Sequence, residues 1–141
     1  MEIIELEILS KTKYIKILRE AMKYFLRLND YDNEEQIFFM ELALNEAIAN
    51  VIEHTYKFDE NKKILIKFEI EKNIFSVHIR DFGEKINREK VKSRDLDDIK
   101  DHGLGVHIIT QVFDEMMWKD INEEGNLLIL KKNLGTKNGN N

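Results

Sequence analysis

The sequence predicts an α+β two-layer sandwich. A hairpin-like stretch around 64–79 has apolar residues with period two, so its sheet buries one face, and Met116-Met117-Trp118, a turn and Leu127 to Leu130 supply a second hairpin. Three stretches carry apolar residues at helical spacing and lie between the strands, so they supply the second layer. The chain has 141 residues, which suits one domain with its own core. The predicted order is β-α-α-β-β-(loop)-α-β-β, with no internal repeat.

Ile4, Leu6 and Ile8 alternate with Glu5 and Glu7, as in a half-buried strand. Ser10 is placed to cap a helix that runs to about Leu28, with Tyr14, Ile17, Leu18, Ala21, Met22 and Phe25 at helical spacing. Asn29-Asp30-Tyr31-Asp32 breaks that pattern. Asp32 followed by Glu35 reads as a capping box. It opens a second helix from about Asn33 to His54, with Ile37, Met40, Leu44, Ala47, Ile48 and Val51 facing inward. Its length and its small residues mark it as the central helix. Ile64, Ile66, Phe68 and Ile70 form one face of the next strand. Glu71-Lys72-Asn73 turns the chain, and Phe75, Val77 and Ile79 return it. Gly103-Leu104-Gly105 opens the third helix, and Met116-Met117-Trp118 begins a strand. Asn122 to Asn126 is a turn, Leu127 to Leu130 the last strand, and Gly135 to Asn141 a frayed tail. The domain is expected to span 1–133, with a flexible tail at 134–141.

Composition excludes several classes. A net charge of -5 argues against a general nucleic-acid binder, which needs a basic face. No cysteine is present, so a disulfide scaffold and a thiolate site are excluded. Nothing near 18 consecutive apolar residues occurs, so no membrane-spanning helix is expected. The acidic, alternating N-terminus does not read as a signal peptide, and a soluble cytoplasmic protein is expected. His78, His102 and His107 share no element at metal-ligand spacing, which speaks against zinc.

Three separated pieces carry chemistry. Glu46, Asn50 and His54 are four apart and share one helix face. An Asn carbonyl suits Mg²⁺, which takes hard oxygen ligands and keeps waters and substrate phosphates. A carboxylate one turn earlier can orient or deprotonate an attacking group. By itself this face would equally be a solvated polar stripe. Asp81-Phe82-Gly83 stands at a strand end, where a carboxylate can accept from an amino group of adenine and a glycine lets backbone approach the base. Alone it reads as strand and turn. Gly103-Leu104-Gly105 precedes a helix, and free N–H groups at a helix start suit phosphate. A plain helix start explains that piece equally well. Between the last two lies Glu84 to Asp101, with six acidic and six basic residues and only Ile86, Val91, Leu96 and Ile99 as apolar anchors. A long, weakly apolar connection inside a domain is usually functional or disordered.

Taken in order, these parts resemble the GHKL (Bergerat-fold) ATPases over about Glu2 to Lys132. The resemblance implies a mostly antiparallel sheet with three main helices on one face. It implies ATP and Mg²⁺ as ligands, Glu46 as general base and Asn50 on the metal. It places Asp81 and Gly83 at adenine, and Lys100, His102, Gly103, Leu104, Gly105 and Val106 at the phosphates. Glu84 to Asp101 would be the ATP lid. Within the family, Glu46-Ala47…Asn50…His54 and the Gly-Leu-Gly helix ending in Phe113-Asp114-Glu115 are similar to the small anti-sigma-factor serine/threonine protein kinases. Histidine kinases would need a helical dimerisation unit, and gyrase-type proteins a transducer domain. The resemblance therefore implies a homodimer that binds a sigma factor and phosphorylates an anti-sigma-factor antagonist, with no nucleic-acid or membrane partner. An ATP-binding switch with little catalysis, and simple ATP hydrolysis, are the rival expectations.

Three positions depart from the family pattern. Lys85 stands where the adenine motif usually has a second glycine, so the loop is stiffer or held differently. Asp101-His102 replaces an Arg before the Gly-x-Gly, leaving Lys100 or His102 to serve. Asn126 and Leu127 stand where a Thr usually lies near the adenine. Outside the motifs, Trp118 and Phe113 are expected in the core, Arg19 and Glu41 on the surface, and His54 as a supporting or helix-end residue.

Overall fold

A computed structural model describes residues 1–86 and 103–135, with backbone alone at 103–105. The segment expected as the lid lies mostly outside these residues, as do Lys100, His102 and most of the tail. The elements are β1 (Glu2–Leu9), a 3₁₀ turn (Thr12–Tyr14), α1 (Ile15–Leu28), α2 (Glu34–Asn50), β2 (Lys63–Glu71), β3 (Ile74–Asp81), α3 (Gly103–Val112), β4 (Glu115–Lys119) and β5 (Asn126–Asn133). The strands form one antiparallel sheet in the order β1-β2-β3-β5-β4. The expected α+β fold and element order are what the chain adopts.

One face of the sheet carries Ile64, Ile66, Phe68, Phe75, Val77, Ile79, Leu128 and Leu130, all buried beneath the helices. Phe25 of α1 meets Phe68 and Phe75 at ring-centroid distances of 6.3 Å each, and those two rings lie 6.1 Å apart. Burying each such ring contributes about 1.5–3 kcal/mol. The inward set of α2 is buried as its periodicity predicts, and α3 packs along α2. Lys72 and Asn73 both have positive φ (51° and 63°), the conformation a two-residue hairpin turn demands.

Several boundaries differ from the sequence reading. Ser10 caps no helix. It is fully buried, donates to the Asp59 carbonyl and accepts from Lys62 N at 3.2 Å, pinning the end of β1 to the start of β2. The cap of α2 is Asn33, whose Oδ1 accepts from Gln36 N at 3.1 Å, so no Asp32–Glu35 box forms. The helix after Asn50 does not run on as α to His54. Val51–Thr55 forms a π turn, closed by Tyr56 N to Val51 O at 2.9 Å. Lys57 and Phe58 then take positive φ and end it. Arg19 is half-buried rather than a free surface group, and its Nη1 donates to Asn45 Oδ1 at 3.2 Å. Glu41, also half-buried, lies 3.8 Å from Lys23 Nζ.

Candidate nucleotide site

The site is built where β3 ends beside β5 and the π turn. Asp81 is the last residue of β3 and lies on the helix-covered face, only 1% exposed. Its Oδ1 accepts from Gly83 N and from Asn126 Nδ2, both at 3.0 Å. Its Oδ2 is buried and has no partner among the described residues. Burial pushes the carboxyl above its ordinary range, and the Gly83 and Asn126 hydrogen bonds oppose that shift. A buried acceptor left open costs about 1–3 kcal/mol unless something fills it. A ligand amino group is the chemistry that would.

Asn126, noted in the sequence only as a departure where a Thr usually lies near the adenine, has no site role in that reading. Register places it directly opposite Asp81, and it is buried. Its Nδ2 also donates to Glu84 O at 2.8 Å, and its Oδ1 accepts from Ile86 N at 2.8 Å. One amide thus orients the carboxylate and fastens the start of the following segment. Gly125 precedes it with φ 89°, and a Cβ there would collide with the Asp81 carbonyl and the Arg80 guanidinium. The only sequence hint was position, since Asn in a turn cluster is otherwise unremarked.

Gly83 is equally constrained. A Cβ on it would run into the side chain of Thr55, the last residue of the π turn. Tyr56, next in line, accepts from Phe82 N at 2.8 Å and donates to Lys63 O at 2.6 Å. Burial raises the Tyr56 phenol, which keeps it protonated and able to donate. The chain leaving the Asn50 helix is thereby fastened against Asp81-Phe82-Gly83. Phe82 itself turns outward, beneath Arg80 at 4.3 Å and Lys63 at 4.9 Å. Lys85 donates to Ile121 O at 3.1 Å, so the loop is held by a tie to the β4–β5 connection. Beside it lies a cavity of about 140 Å³ bordered by Ile86, Trp118 and Asn126.

Glu46 and Asn50 lie on one face of α2, both half-buried, and make no hydrogen bond or ion pair among the described residues. Gly103, Leu104, Gly105 and Val106 form the first turn of α3, with Val106 half-buried. Phe113 is buried, and Trp118 packs against the core with its Nε1 unpartnered. Among the described residues, no group of three or more His, Asp or Glu is placed to hold a metal ion, and no helix is long and apolar enough to cross a membrane.

Comparisons with known proteins bear on the fold and the family. The chain is similar to the serine-protein kinase RsbW of Bacillus subtilis (strain 168), 25% identical over 122 residues, covering 80% of this chain and 75% of that one. The serine-protein kinase RsbW of Staphylococcus aureus (strain JH9) is 28% identical over 126 residues, covering 82% and 77%. Among solved structures, the RsbU and RsbW domains of Rv1364c from Mycobacterium tuberculosis superpose with a TM-score of 0.66 at 13% identity, over 94% of this chain and 32% of that longer one. The catalytic domain of the histidine kinase ThkA gives 0.56 at 21% identity, over 94% and 96%. These two likenesses concern the fold. The profile of the histidine kinase-like ATPase domain matches residues 9–132. With that match spanning β2 through β5, the Asp81 pocket and the Glu46–Asn50 helix, the chain belongs to the histidine kinase-like ATPase domain family.

Proposed function

We propose that this protein is an ATP-dependent serine/threonine protein kinase that acts as an anti-sigma factor and phosphorylates an anti-sigma-factor antagonist. The observation that carries nucleotide binding is the buried, unpartnered Oδ2 of Asp81, held in place by Asn126 and Gly83. It suits the exocyclic amino group of adenine and repels the carbonyl that guanine presents at the same position. The likeness to the RsbW serine-protein kinases supports a protein hydroxyl as the acceptor; a sigma factor and its antagonist as partners, and a homodimer in the cytoplasm, are what the resemblance to the small anti-sigma-factor kinases implies.

Asn50 would hold Mg²⁺ through its amide oxygen. The fit is chemical: a hard, half-exposed oxygen with no competing hydrogen bond among the described residues. When bound, Mg²⁺ supplies charge neutralisation at the phosphates. Glu46, one turn earlier, takes the proton of the attacking serine hydroxyl. The new bond forms from that oxygen to the terminal phosphorus, the bond to the bridging oxygen breaks, and ADP leaves. Phosphoryl transfer relies mainly on positioning and charge, so few side chains suffice. The first turn of α3, with Gly103, Leu104, Gly105 and Val106, presents backbone N–H groups to the phosphates, and Lys100 and His102 are assigned beside them.

The test is transfer of labelled terminal phosphate to an anti-sigma-factor antagonist, with a serine-to-alanine antagonist as control. Labelling of the wild-type antagonist alone is the expected result. Tight ATP binding without any transfer would replace the kinase with a nucleotide-gated binding module.

A further inference from the structure

The core face of α2 accounts for Ile37, Met40, Leu44 and Ala47. It does not account for Phe38, Phe39 and Leu42, which are 55%, 40% and 40% exposed. Phe is a poorer helix former than Glu, Lys or Gln, so a helix face that only met water would gain nothing from two phenylalanines. The two rings lean on each other, with centroids 5.9 Å apart and planes tilted by 57°, an arrangement in which aromatic pairs attract. Contiguous exposed apolar surface of this kind marks an interaction site.

Its position points to the occupant. Glu35, Phe38, Phe39, Leu42, Glu46 and Asn50 recur at spacings of three or four, so they form one stripe along the helix. The apolar platform runs directly into Glu46: at 1.5 Å of rise per residue, Leu42 is about 6 Å and Phe38 about 12 Å along the axis from it. Carboxylates bound the platform at both ends, since α2 holds four glutamates and no cation. Glu34 is taken by Arg27 at 2.7 Å and Glu41 lies 3.8 Å from Lys23, whereas Glu35 and Glu46 have no ion pair among the described residues. A two-fold copy centred between Phe39 and Leu42 would set Glu35 of each chain against Glu46 of the other, and like charges oppose that pairing. The same carboxylates oppose an anionic membrane surface. An apolar segment with a cation at one end matches both the platform and its free carboxylate.

We propose that the Phe38, Phe39 and Leu42 platform docks the serine-bearing acceptor protein, which lays an apolar segment along α2 and sets a Lys or Arg against Glu35. The proposal rests on the reading of Glu46 as the base that takes the serine proton. An extended segment advances about 3.3 Å per residue. With the serine at Glu46, the segment reaches Leu42 about two residues away, the phenylalanines about three to four away, and Glu35 about five away. The platform then selects among protein hydroxyls, because contacts remote from the reacting atoms supply the binding energy that positions the serine. The nucleotide pocket at Asp81 shares no residue with it.

Steady-state transfer of labelled terminal phosphate to an anti-sigma-factor antagonist tests it, with circular dichroism confirming the fold of each variant and calorimetry its ATP affinity. Phe38→Ser and Leu42→Ser together should raise KM for the antagonist about tenfold or more. The kcat at saturating antagonist and the Kd for ATP should stay unchanged, because only binding common to ground and transition states is removed. Glu35→Lys should raise the same KM about threefold, the smaller loss of a rim charge. A benzophenone side chain in place of Phe39 should cross-link on irradiation to the antagonist within about five residues of its phosphorylated serine. An antagonist KM unchanged in the variants, or a cross-link that maps elsewhere, would overturn the platform while the kinase reading stands. Wild type that transfers nothing would overturn the kinase reading and this proposal with it. If the double variant keeps its KM but loses a dimer, or loses pelleting with anionic phospholipid vesicles, the platform belongs to a second copy or to a membrane instead.

Discussion

At the end of β3, Asp81, Gly83 and Asn126 are tied to one another and to Glu84 and Ile86, with Asp81 Oδ2 left open, whereas on α2 the side chains of Glu46 and Asn50 bond to nothing among the described residues. The first region is buried and over-determined; the second is half-exposed and open. On the proposed function, the contrast follows from what each would meet. A base is rigid and neutral, so its acceptor gains by being fixed in advance and dry. Phosphates, metal and a protein hydroxyl arrive with charge and water, so the groups that meet them must stay free to exchange ligands. The π turn and Tyr56 join the regions and set their separation.

The largest effect should come from the open region. Glu46→Gln is expected to lower phosphoryl transfer 10²–10⁴-fold, the usual loss for a positioned base, with ATP affinity unchanged by calorimetric titration. Asn50→Ala should instead weaken binding of Mg-ATP and leave binding of ATP in chelator little altered. Reversal of those two patterns would exchange the roles of the residues.

Next comes Asp81→Asn. Wild type at a hundredfold excess of ATP over its dissociation constant should gain about 2.7 kcal/mol of stability, and the variant should lose that gain, read as the shift in thermal unfolding. Without nucleotide the sign reverses. The folded carboxyl is raised, so its contribution to stability is full below the unfolded value of 3.8 and is lost as pH rises through the folded value. The ligand-free variant should therefore gain on wild type between acid and neutral pH. A constant difference across that range would remove the buried charge from the account.

Asn126→Ala should cost about 1–3 kcal/mol, because it leaves Ile86 N and Glu84 O without their partner and frees the Asp81 carboxylate. Asn126→Thr keeps a hydroxyl at the site and should retain part of the ATP affinity. If Asn126→Ala binds ATP like wild type, Gly83 alone positions Asp81. The smallest effect is a control distant from both regions. Asn33→Ala removes the α2 cap and should lower stability by about 1 kcal/mol, with ATP affinity and transfer intact at saturating ligand.

Periodicity determined β1 to β3, the three helices and the buried set of α2, because those depend on which side of a local repeat is apolar, while β4 and β5 were legible as short apolar runs around a turn. Spacing alone put Glu46 and Asn50 on one face, since four residues are about one helical turn. The tertiary structure decided what depends on distant partners. Ser10 looked like a helix cap because its nearest neighbours are helical; it bonds instead to Asp59 and Lys62, some fifty residues on, once β1 pairs with β2. Asn126 looked like a turn residue, and only the β3–β5 register sets its amide against Asp81, 45 positions away in sequence.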